Sequence, residues 1–528
     1  MISLEHLMQP PPSGQITSHE SHGHLYSSEP SEAVMTTKNW LGQQFVEVTV
    51  GQEPVRTAHS KQEARDAFYA HKETAWQRVM FAYYEDGWEA ALKEIMNSRT
   101  DGRILQAASK VASCTLKLLR IANKVQELLP SPKRTISSAT SLAAHGTGGS
   151  VVSVAWHPHT CTLAAVFCDD TVRVFSASYS ITPLLKHRLQ KSVTQIAWMP
   201  YSASQLAVGC EGGILLWTLD PVNVVTRPSG SCVMLLSHPS TTPVNALSWH
   251  PKGNLLACVG DSSSVLLVWD VGREVSEVAH CGRQDSISIV LWSPEGSRVF
   301  VGYASKTMRV FETQNWSYEW WSLDSPVQSA VWSANGHVLL FVTQEEPILF
   351  CIGFIDGEGV GGAKVAAQVA DFTAKEVTLE SSENVIVGGA VRQLAWDPRS
   401  ERLAVIFRQT EYIALFHTSF QPSLHLAPGG FIRGEMGRIP VTASFRQNLA
   451  SGAVLSVVWS SGQVQHIPMR YASREMARPA NIAHSSLLSP HINHNISFNT
   501  SVAANISLVH RVPSLPTSPL IGGLFTSP

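Results

Sequence analysis

Charge is scarce in this sequence, and the little that is present is balanced. Charged residues make up 15% of the 528 positions, and the formal net charge at pH 7 is −2. A chain without excess positive charge offers little attraction to a phosphate backbone, so nucleic acid is not expected as a direct partner. Paired cysteines are also missing. The eight cysteines are scattered with no CxxC pair, which indicates reduced thiols rather than a disulfide framework or a zinc ribbon.

Long apolar runs are absent as well. No stretch approaches the roughly 18 consecutive apolar residues of a membrane helix, and the start, MISLEHLMQPPPSG, has no basic segment followed by an apolar one. Direct membrane insertion and a secretory route are therefore not expected. Apolar and aromatic residues are plentiful, with 44% hydrophobic positions and 15 tryptophans. This composition favours a β-rich fold packed around aromatic side chains.

A tryptophan-containing phrase recurs along the chain and predicts the structural core. The phrases SVAWHP, QIAWMP, ALSWHP, IVLWSP, SAVWSA and QLAWDP contain Trp156, Trp198, Trp249, Trp292, Trp332 and Trp396. A second aromatic follows each of them after 18 to 20 residues, at Phe175, Trp217, Trp269, Phe311, Phe350 and Phe416. The runs between them alternate with a period of two, which is typical of strands with one buried face.

A seventh, weaker unit follows the first six, around Phe445, Trp459 and His466. Seven units of three or four strands predict an all-β fold, a seven-bladed WD-repeat-type β-propeller over residues 135–470. A ring of blades has to be closed. We expect residues 135–144 to supply the outer strand of the last blade.

Histidines recur before the first four tryptophans, at a distance of 11 or 12 residues: they are His145, His187, His238 and His280. They resemble the Gly-His position of WD-repeat proteins, where the ring bonds an aspartate in the turn between the second and third strands and locks the blade. The resemblance implies Asp170 and Asp261 as the aspartates and Trp269 as the tryptophan of the one literal WD dipeptide. Several blades have phenylalanine in place of that tryptophan and cannot donate the indole hydrogen bond, so the lock is expected to be partial.

The stretch WHPHTCTLAAVFCDDTVRVF contains a possible metal or catalytic cluster. His157, His159 and Cys161 alternate there, but structural zinc needs four converging ligands and no partner pair with suitable spacing exists. We interpret residues 157–160 as a turn between two strands and Asp169-Asp170 as the next turn. A literal GxGxxG at 357–362 falls in an insertion between two blades, where chance composition is favoured over a dinucleotide site. No catalytic residue, metal or cofactor is predicted.

Three segments lie outside the predicted ring. Residues 1–55 are predicted to be a loose Pro/Ser-rich N-terminus, and residues 477–528 a disordered tail. Residues 56–130 show helical periodicity after a capping-box start at Ser60 and Glu63. This helical segment either packs on the propeller or forms a docking surface for a partner, and the sequence leaves both roles open.

Several phrases go beyond a generic propeller, because they include loops as well as strands. They resemble the aladin family of WD-repeat nucleoporins from about residue 40 to 470, and they are WHPHTCTLAAVFCDDTVRVF, LLKHRLQKSV, WTLDP, VGGAK, LAWDPRSERLAV and, in the helical segment, LKEIMNS.

The resemblance implies a non-enzymatic subunit of the nuclear pore complex that supports nucleocytoplasmic transport. It also implies a transmembrane nucleoporin as the anchor at the pore membrane, other nucleoporins as protein partners, and a location at the nuclear envelope, at mitotic spindle poles and in a cytoplasmic pool. Two alternatives remain. One is a generic cytosolic WD-repeat adaptor, and the other is a propeller enzyme, for which Asp169, Asp170, Asp261 and His145 are better explained as turn and lock residues.

Overall fold

A computed structural model describes residues 2–48, 150–471 and 508–512, except for short gaps at 180, 222–223, 282–284, 355–365, 380–381, 421–423, 448 and 450–451. The predicted helical segment 56–130, the predicted closing segment 135–144, His145 and the GxGxxG at 357–362 lie outside the described residues.

The N-terminal residues form three strands and a helix. These are β1 (Ile2–Ser3), β2 (Ile16–Ser21), β3 (His24–Ser28) and α1 (Pro30–Leu41). Short 3-10 helices follow β1 and α1, at Leu4–His6 and Gly42–Gln44. The sequence of α1 explains its bounds, because Pro30 is preset for the first helical turn and Gly42, at φ 52°, ends the helix.

Seven sheets follow, and in each the blade's own strands, taken from β4 to β32, are antiparallel and lie in chain order. Blade 1 contains β4 (Val151–Trp156), β5 (Thr162–Phe167), β6 (Val172–Ser176) and β7 (Leu184–Leu185). Blade 2 contains β8 (Gln195–Trp198), β9 (Gln205–Cys210), β10 (Gly213–Thr218) and β11 (Val233–Leu236). Blade 3 contains β12 (Val244–Trp249), β13 (Leu255–Gly260), β14 (Val265–Asp270) and β15 (Val275–Cys281). Blade 4 contains β16 (Ile287–Trp292), β17 (Arg298–Tyr303), β18 (Thr307–Glu312) and β19 (Tyr318–Ser322).

The second half of the ring has the same plan. Blade 5 contains β20 (Val327–Trp332), β21 (Val338–Thr343), β22 (Ile348–Gly353) and β23 (Ala367–Asp371). A hairpin of β24 (Lys375–Thr378) and β25 (Asn384–Val387) precedes blade 6. Blade 6 contains β26 (Val391–Trp396), β27 (Arg402–Phe407), β28 (Tyr412–Phe420) and β29 (Leu424–Arg433). Blade 7 contains β30 (Pro440–Arg446), β31 (Gly452–Trp459) and β32 (Val464–Arg470), and β33 (Leu508–Val512) follows.

The recurrent tryptophans occupy one structural position. All six end the first strand of their blade, as the repeat predicts. Trp156, Trp198, Trp249 and Trp292 are buried, and Trp332 and Trp396 are half-buried. The first strands of neighbouring blades touch, including β30 of blade 7 and β4 of blade 1. The prediction of a seven-bladed β-propeller is therefore confirmed.

The core lies between the blades rather than at one centre. One cluster, for example, joins Ile214 and Leu216 of blade 2 to Leu247, Trp249 and Leu267 of blade 3. Each blade has two apolar faces, and both would be exposed to water if neighbouring blades did not cover them. This repeated burial holds a ring together without a single continuous core.

The ring is closed by a segment other than the one predicted. Strand β2 lies parallel to β32 and takes the fourth position of blade 7, directly outside β32, with Glu20 opposite Met469 and Ser21 opposite Arg470. β3 pairs with β2, so blade 7 has five strands. This differs from the expectation that residues 135–144 fill that position. The prediction placed the closing strand directly before blade 1 in the sequence, whereas β2 lies nearer the N-terminus, on the far side of the predicted helical segment.

The N-terminus is also more ordered than predicted. Residues 2–48 were predicted within a loose segment, but β1 pairs in parallel with β23 of blade 5, and α1 packs on β2 and β32. The physical reason is burial: Leu4, Thr17 and Glu20 are at most 2% exposed against the propeller. A polar, proline-containing segment can be ordered when its few apolar and charged residues are buried against a larger domain.

Part of the predicted disordered tail is a strand. Leu508–Val512 pairs antiparallel with β19 and becomes the fifth strand of blade 4. The rest of 477–528 lies outside the described residues.

Candidate functional site

The cluster after the first strand of blade 1 is built as a turn. β4 ends at Trp156, as predicted, and β5 begins at Thr162. The His157 ring is buried, its Nδ1 accepts the backbone N–H groups of His159 and Thr160 at 3.0 Å, and its Nε2 is 2.8 Å from the Ser202 carbonyl. Both ring nitrogens are therefore occupied by backbone groups. His159 instead faces the Tyr201 ring, with centroids 4.9 Å apart.

The residue after the first-strand tryptophan has the same task in several blades. His250 accepts the N–H of Lys252, and Ser333 accepts that of Val338. Asp397 accepts three N–H groups, including that of Arg402 at 2.7 Å, and also the Tyr471 hydroxyl at 2.9 Å. A side-chain acceptor here satisfies backbone donors that the tight turn leaves unpaired.

Asp170 lies in the predicted turn and links blade 1 to blade 2, with Gln190 in place of the expected histidine. Its carboxylate accepts the backbone N–H groups of Ser192 and Val193, at 3.0 and 2.9 Å. Buried Gln190 completes the contact. It donates to the Asp170 carbonyl at 2.7 Å and accepts the indole N–H of Trp217 at 3.0 Å. Gln190 thus bridges blades 1 and 2 where the resemblance implied a histidine ring.

The predicted lock histidines have varied surroundings. The His187 Nδ1 accepts the N–H of Leu189 at 3.3 Å, and the His238 Nδ1 accepts that of Ser240 at 3.2 Å. His238 is the N-cap of a short 3-10 helix, Pro239–Thr241. His280 packs on the Phe311 ring at 5.2 Å, and its Nε2 faces Arg309. Phe311 offers no hydrogen-bond donor, so its contact with His280 is made by packing.

The third blade also departs from the implied lock. Asp261 is exposed in its turn, and its backbone N–H bonds the Pro243 carbonyl. Trp269 is buried and lies beside the Cys258 thiol, which the Thr241 side chain also contacts. Burial raises the pKa of the Cys258 thiol to about 12, so the thiol stays protonated at neutral pH. The exposed position of Asp261 leaves its carboxylate to water, so the blade relies on packing around Trp269.

The inner strands are linked by side-chain to backbone hydrogen bonds that the repeat did not predict. Their distances range from 2.9 to 3.2 Å, and they join Leu247 N–H to Gln195, Trp292 N–H to Ser248, Leu394 N–H to Ser329 and Ala443 N–H to Gln393. The indole N–H groups of Trp198 and Trp249 add bonds to the carbonyls of Ala155 and Ala197, both at 3.1 Å. A polar residue three positions before the tryptophan, as at Gln195, Ser329 and Gln393, is the sequence signal that identifies most of them.

Two buried polar networks seal the junction of blades 1, 6 and 7. In the first, the indole N–H of Trp156 donates to Ser456 Oγ at 2.8 Å, Ser456 bonds His466 Nδ1 at 2.7 Å, and His466 Nε2 bonds the Val46 carbonyl at 3.0 Å. One chain of bonds therefore joins blade 1, blade 7 and the N-terminal segment.

The second network centres on Glu20, which is fully buried. Arg402 holds its carboxylate through Nε at 2.8 and 3.0 Å and through Nη2 at 2.7 Å. Burial raises the pKa of the Glu20 carboxyl, and the Arg402 guanidinium opposes that rise. The same guanidinium lies 4.5 Å from the Tyr471 ring. Because Glu20 is on β2 and Arg402 on β27, this pair fastens the closing strand to blade 6.

Buried histidines should make the ring sensitive to acid. Burial lowers the pKa of His250, His280, His417 and His466 to about 4. For His466, the Val46 carbonyl opposes this lowering of the pKa and nearby Arg446 adds to it. A histidine whose pKa is depressed on folding takes up a proton more readily in the unfolded chain, so its contribution to stability is present above pH 6.5 and is lost as pH falls toward 4. Each such group contributes a slope of about 1.4 kcal/mol per pH unit in that window.

We therefore expect His466→Gln to flatten the loss of stability between pH 6.5 and 4.5. Urea unfolding at both pH values measures the effect, with His159→Gln, at an exposed turn position, as the matched control. Equal pH dependence in His466→Gln and the unaltered protein would contradict a neutral, buried His466.

A groove opens on the side of blade 7 beside these networks. Its volume is about 390 Å³, and it lies between α1 and the β31–β32 turn. Ala33, Thr37 and Trp459 line it, and the Lys38–Glu47 ion pair, at 3.2 Å, stands at its rim. The groove therefore combines an apolar lining with a charged pair at its edge.

Metal ligands and membrane-spanning segments are two further features that bear on function. Within the described part of the chain, no group of three or more His, Cys, Asp or Glu side chains could hold a metal ion. Among those residues, no helix is long and apolar enough to cross a membrane.

Comparison with known proteins identifies related chains. Residues 133–470 match the family model described as the aladin seven-bladed propeller. A relative named Aladin, from Arabidopsis thaliana, is 27% identical over 291 residues, which cover 50% of this chain and 62% of the relative. The human WD repeat-containing protein 19 is 29% identical over 69 residues, which are 13% of this chain and 5% of that protein. The crystal structure of the Cps50 (Swd1) β-propeller domain from Myceliophteria thermophila has 12% identity and a TM-score of 0.44, and covers 60% of this chain and 96% of that one.

Proposed function

Because this chain belongs to the aladin seven-bladed propeller family, we propose that it is a non-enzymatic subunit of the nuclear pore complex that acts as a scaffold for protein interactions. The observation that carries the proposal is the match of the family model to residues 133–470, the region that contains all seven blades. The alignment of this chain with the Arabidopsis relative covers 62% of that relative's length, so the activity and partners of the whole protein are part of the proposal.

The geometry supports a scaffold rather than a catalyst. Two of the polar side chains that were candidates for catalysis form hydrogen bonds to backbone groups. They are His157, in the first turn, and Asp170, between blades 1 and 2. Groups held in this way are already saturated and are poor acids, bases or nucleophiles. A closed ring instead presents a rigid rim and edges to other proteins.

We further propose that a transmembrane nucleoporin anchors the protein at the pore membrane, that other nucleoporins bind it there, and that it supports nucleocytoplasmic transport. A role at mitotic spindle poles and a cytoplasmic pool belong to the same proposal. The support for these finer roles is membership of the aladin family, whose propeller the chain shares over all seven blades.

Localisation tests the proposal directly. A fluorescent fusion should stain the nuclear rim in cells and should become diffuse when the transmembrane nucleoporin is depleted. His159→Ala should stain the rim as the unaltered protein does, because His159 is exposed in a turn. Diffuse signal that does not change on depletion would instead favour the generic cytosolic WD-repeat adaptor.

A further inference from the structure

The outer edge of blade 4 has an extra strand from a distant part of the chain. β33 pairs antiparallel with β19, so that Tyr318 lies opposite Val512, Glu319 opposite Arg511 and Trp320 opposite His510. Blade 4 already has four strands of its own from β16 to β19. β33 is therefore an addition to a complete blade rather than a missing part of it.

The edge of β19 is suited to accept a strand. An outer strand without a neighbour presents a row of unpaired N–H and C=O groups, which pair readily with any extended peptide. Trp321 is fully buried and fixes the strand to the blade, while Tyr318 and Trp320 are half-buried. The backbone hydrogen-bonding groups of β19 are thus held in place before an added strand arrives.

Two other blades carry strands from the N-terminus, and buried side chains anchor both of those strands. β1 on blade 5 leads into buried Leu4, and β2 on blade 7 is held by buried Glu20 and Arg402. Among the strand pairings of the described residues, β33 has a single neighbour, β19. A strand at the edge of a sheet, with one neighbour, can leave without breaking any pairing among the blade's own four strands.

We propose that the outer edge of blade 4 is a strand-accepting docking site for an extended peptide segment of a protein partner, and that Leu508–Val512 of the same chain occupies it until the partner displaces it. Main-chain hydrogen bonds supply affinity in this mode of recognition, and alternate side chains of the added strand supply specificity. This proposal does not depend on the location of the protein in the cell.

The length of the connecting segment fits an intramolecular occupant. Residues 472–507 join the end of blade 7 to β33. A tether of this length gives the attached strand an effective concentration of about millimolar order at β19. A free peptide of modest affinity therefore competes poorly with the tethered tail. Releasing the tail from β19 should make binding of the free peptide detectable.

The test uses the full chain with the tail strand broken. Val509→Pro together with Arg511→Pro removes two backbone N–H groups and should release the segment from β19. Hydrogen exchange at the backbone amides of Tyr318–Ser322 should become at least tenfold faster. A fluorescent peptide with the sequence of residues 506–513 should bind this variant at least tenfold more tightly than it binds the unaltered chain, as measured by fluorescence anisotropy. Ser501→Pro with Ala503→Pro has the same spacing outside the strand and should change neither result.

Three outcomes would overturn the inference. Unchanged exchange at Tyr318–Ser322 would show that β33 does not protect the edge. Faster exchange without peptide binding would show that the edge does not accept a strand in trans. Loss of protection on dilution of the unaltered chain, with a dimer in light scattering, would identify a second copy as the occupant. An unchanged melting temperature of the double-proline variant verifies that the propeller stays folded.

Discussion

Arg402→Ala is expected to lower the free energy of unfolding by about 3 to 5 kcal/mol, because it leaves the Glu20 carboxylate buried without its partner. Glu20 is 0% exposed, and the Arg402 guanidinium provides bonds to both of its oxygens. Water cannot replace those bonds at a fully buried carboxylate. Since Glu20 lies on the closing strand β2, the loss should appear first as release of residues 16–28 from blade 7.

Chemical denaturation and limited proteolysis measure these two effects. Arg273→Ala is the matched control, because Arg273 is 71% exposed and pairs with Asp270 at 3.6 Å on the surface. Exposed pairs contribute about 0 to 1 kcal/mol. Replacing both Glu20 and Arg402 by methionine should cost much less than Arg402→Ala, since no charge remains unpaired. Similar losses for Arg402→Ala and Arg273→Ala would refute the role assigned to the buried pair.

Trp249→Ala should destabilise the fold by about 3 to 5 kcal/mol as well, for a different reason. Trp249 is 7% exposed and packs between blades 2 and 3, where truncation leaves a cavity that the paired sheets cannot collapse to fill. A loss of this size is comparable with the whole stability of a marginal domain. In cells the variant should be less abundant and should lose its localisation through misfolding.

Two further substitutions separate packing from hydrogen bonding at this site. Trp249→Phe keeps most of the apolar area and removes only the bond to the Ala197 carbonyl, 3.1 Å away, so its cost should be about 1 to 2 kcal/mol. Tyr201→Ala, at a position that is 78% exposed, should change the unfolding midpoint little. A Trp249→Ala midpoint close to that of Tyr201→Ala would mean that the inter-blade core does not depend on the aromatic residue.

The repeat can be predicted from the sequence because its cause is local. Each first strand must present an aromatic residue to the preceding blade, and a turn must follow at once, so Trp156 and Trp249 are followed by a buried acceptor and a tight turn. Period-two alternation then fixes which face each strand buries. Spacing alone therefore predicted the number of blades and the aromatic positions of their first and third strands.

The lock was harder to predict, because chemically different side chains can satisfy the same backbone groups. Gln190 makes the bonds to Trp217 and Asp170 for which a histidine was expected. His466, on the third strand of the weakest repeat, makes the lock-like chain from Trp156 through Ser456. A hydrogen-bond position specifies donors and acceptors in space, and several residue types at several sequence offsets can supply them.

By itself, the sequence determined a ring of seven aromatic-cored blades and the turns that follow the tryptophans, because both follow from residues within about 20 positions of one another. Only the tertiary structure decided how the ring closes and which edges are covered. Strand β2 closes blade 7 from more than 400 residues away, and β33 covers blade 4 from the far end of the chain. Edge pairing uses backbone groups that every residue possesses, so the choice of partner strand depends on which segments can reach the edge and bury their side chains there.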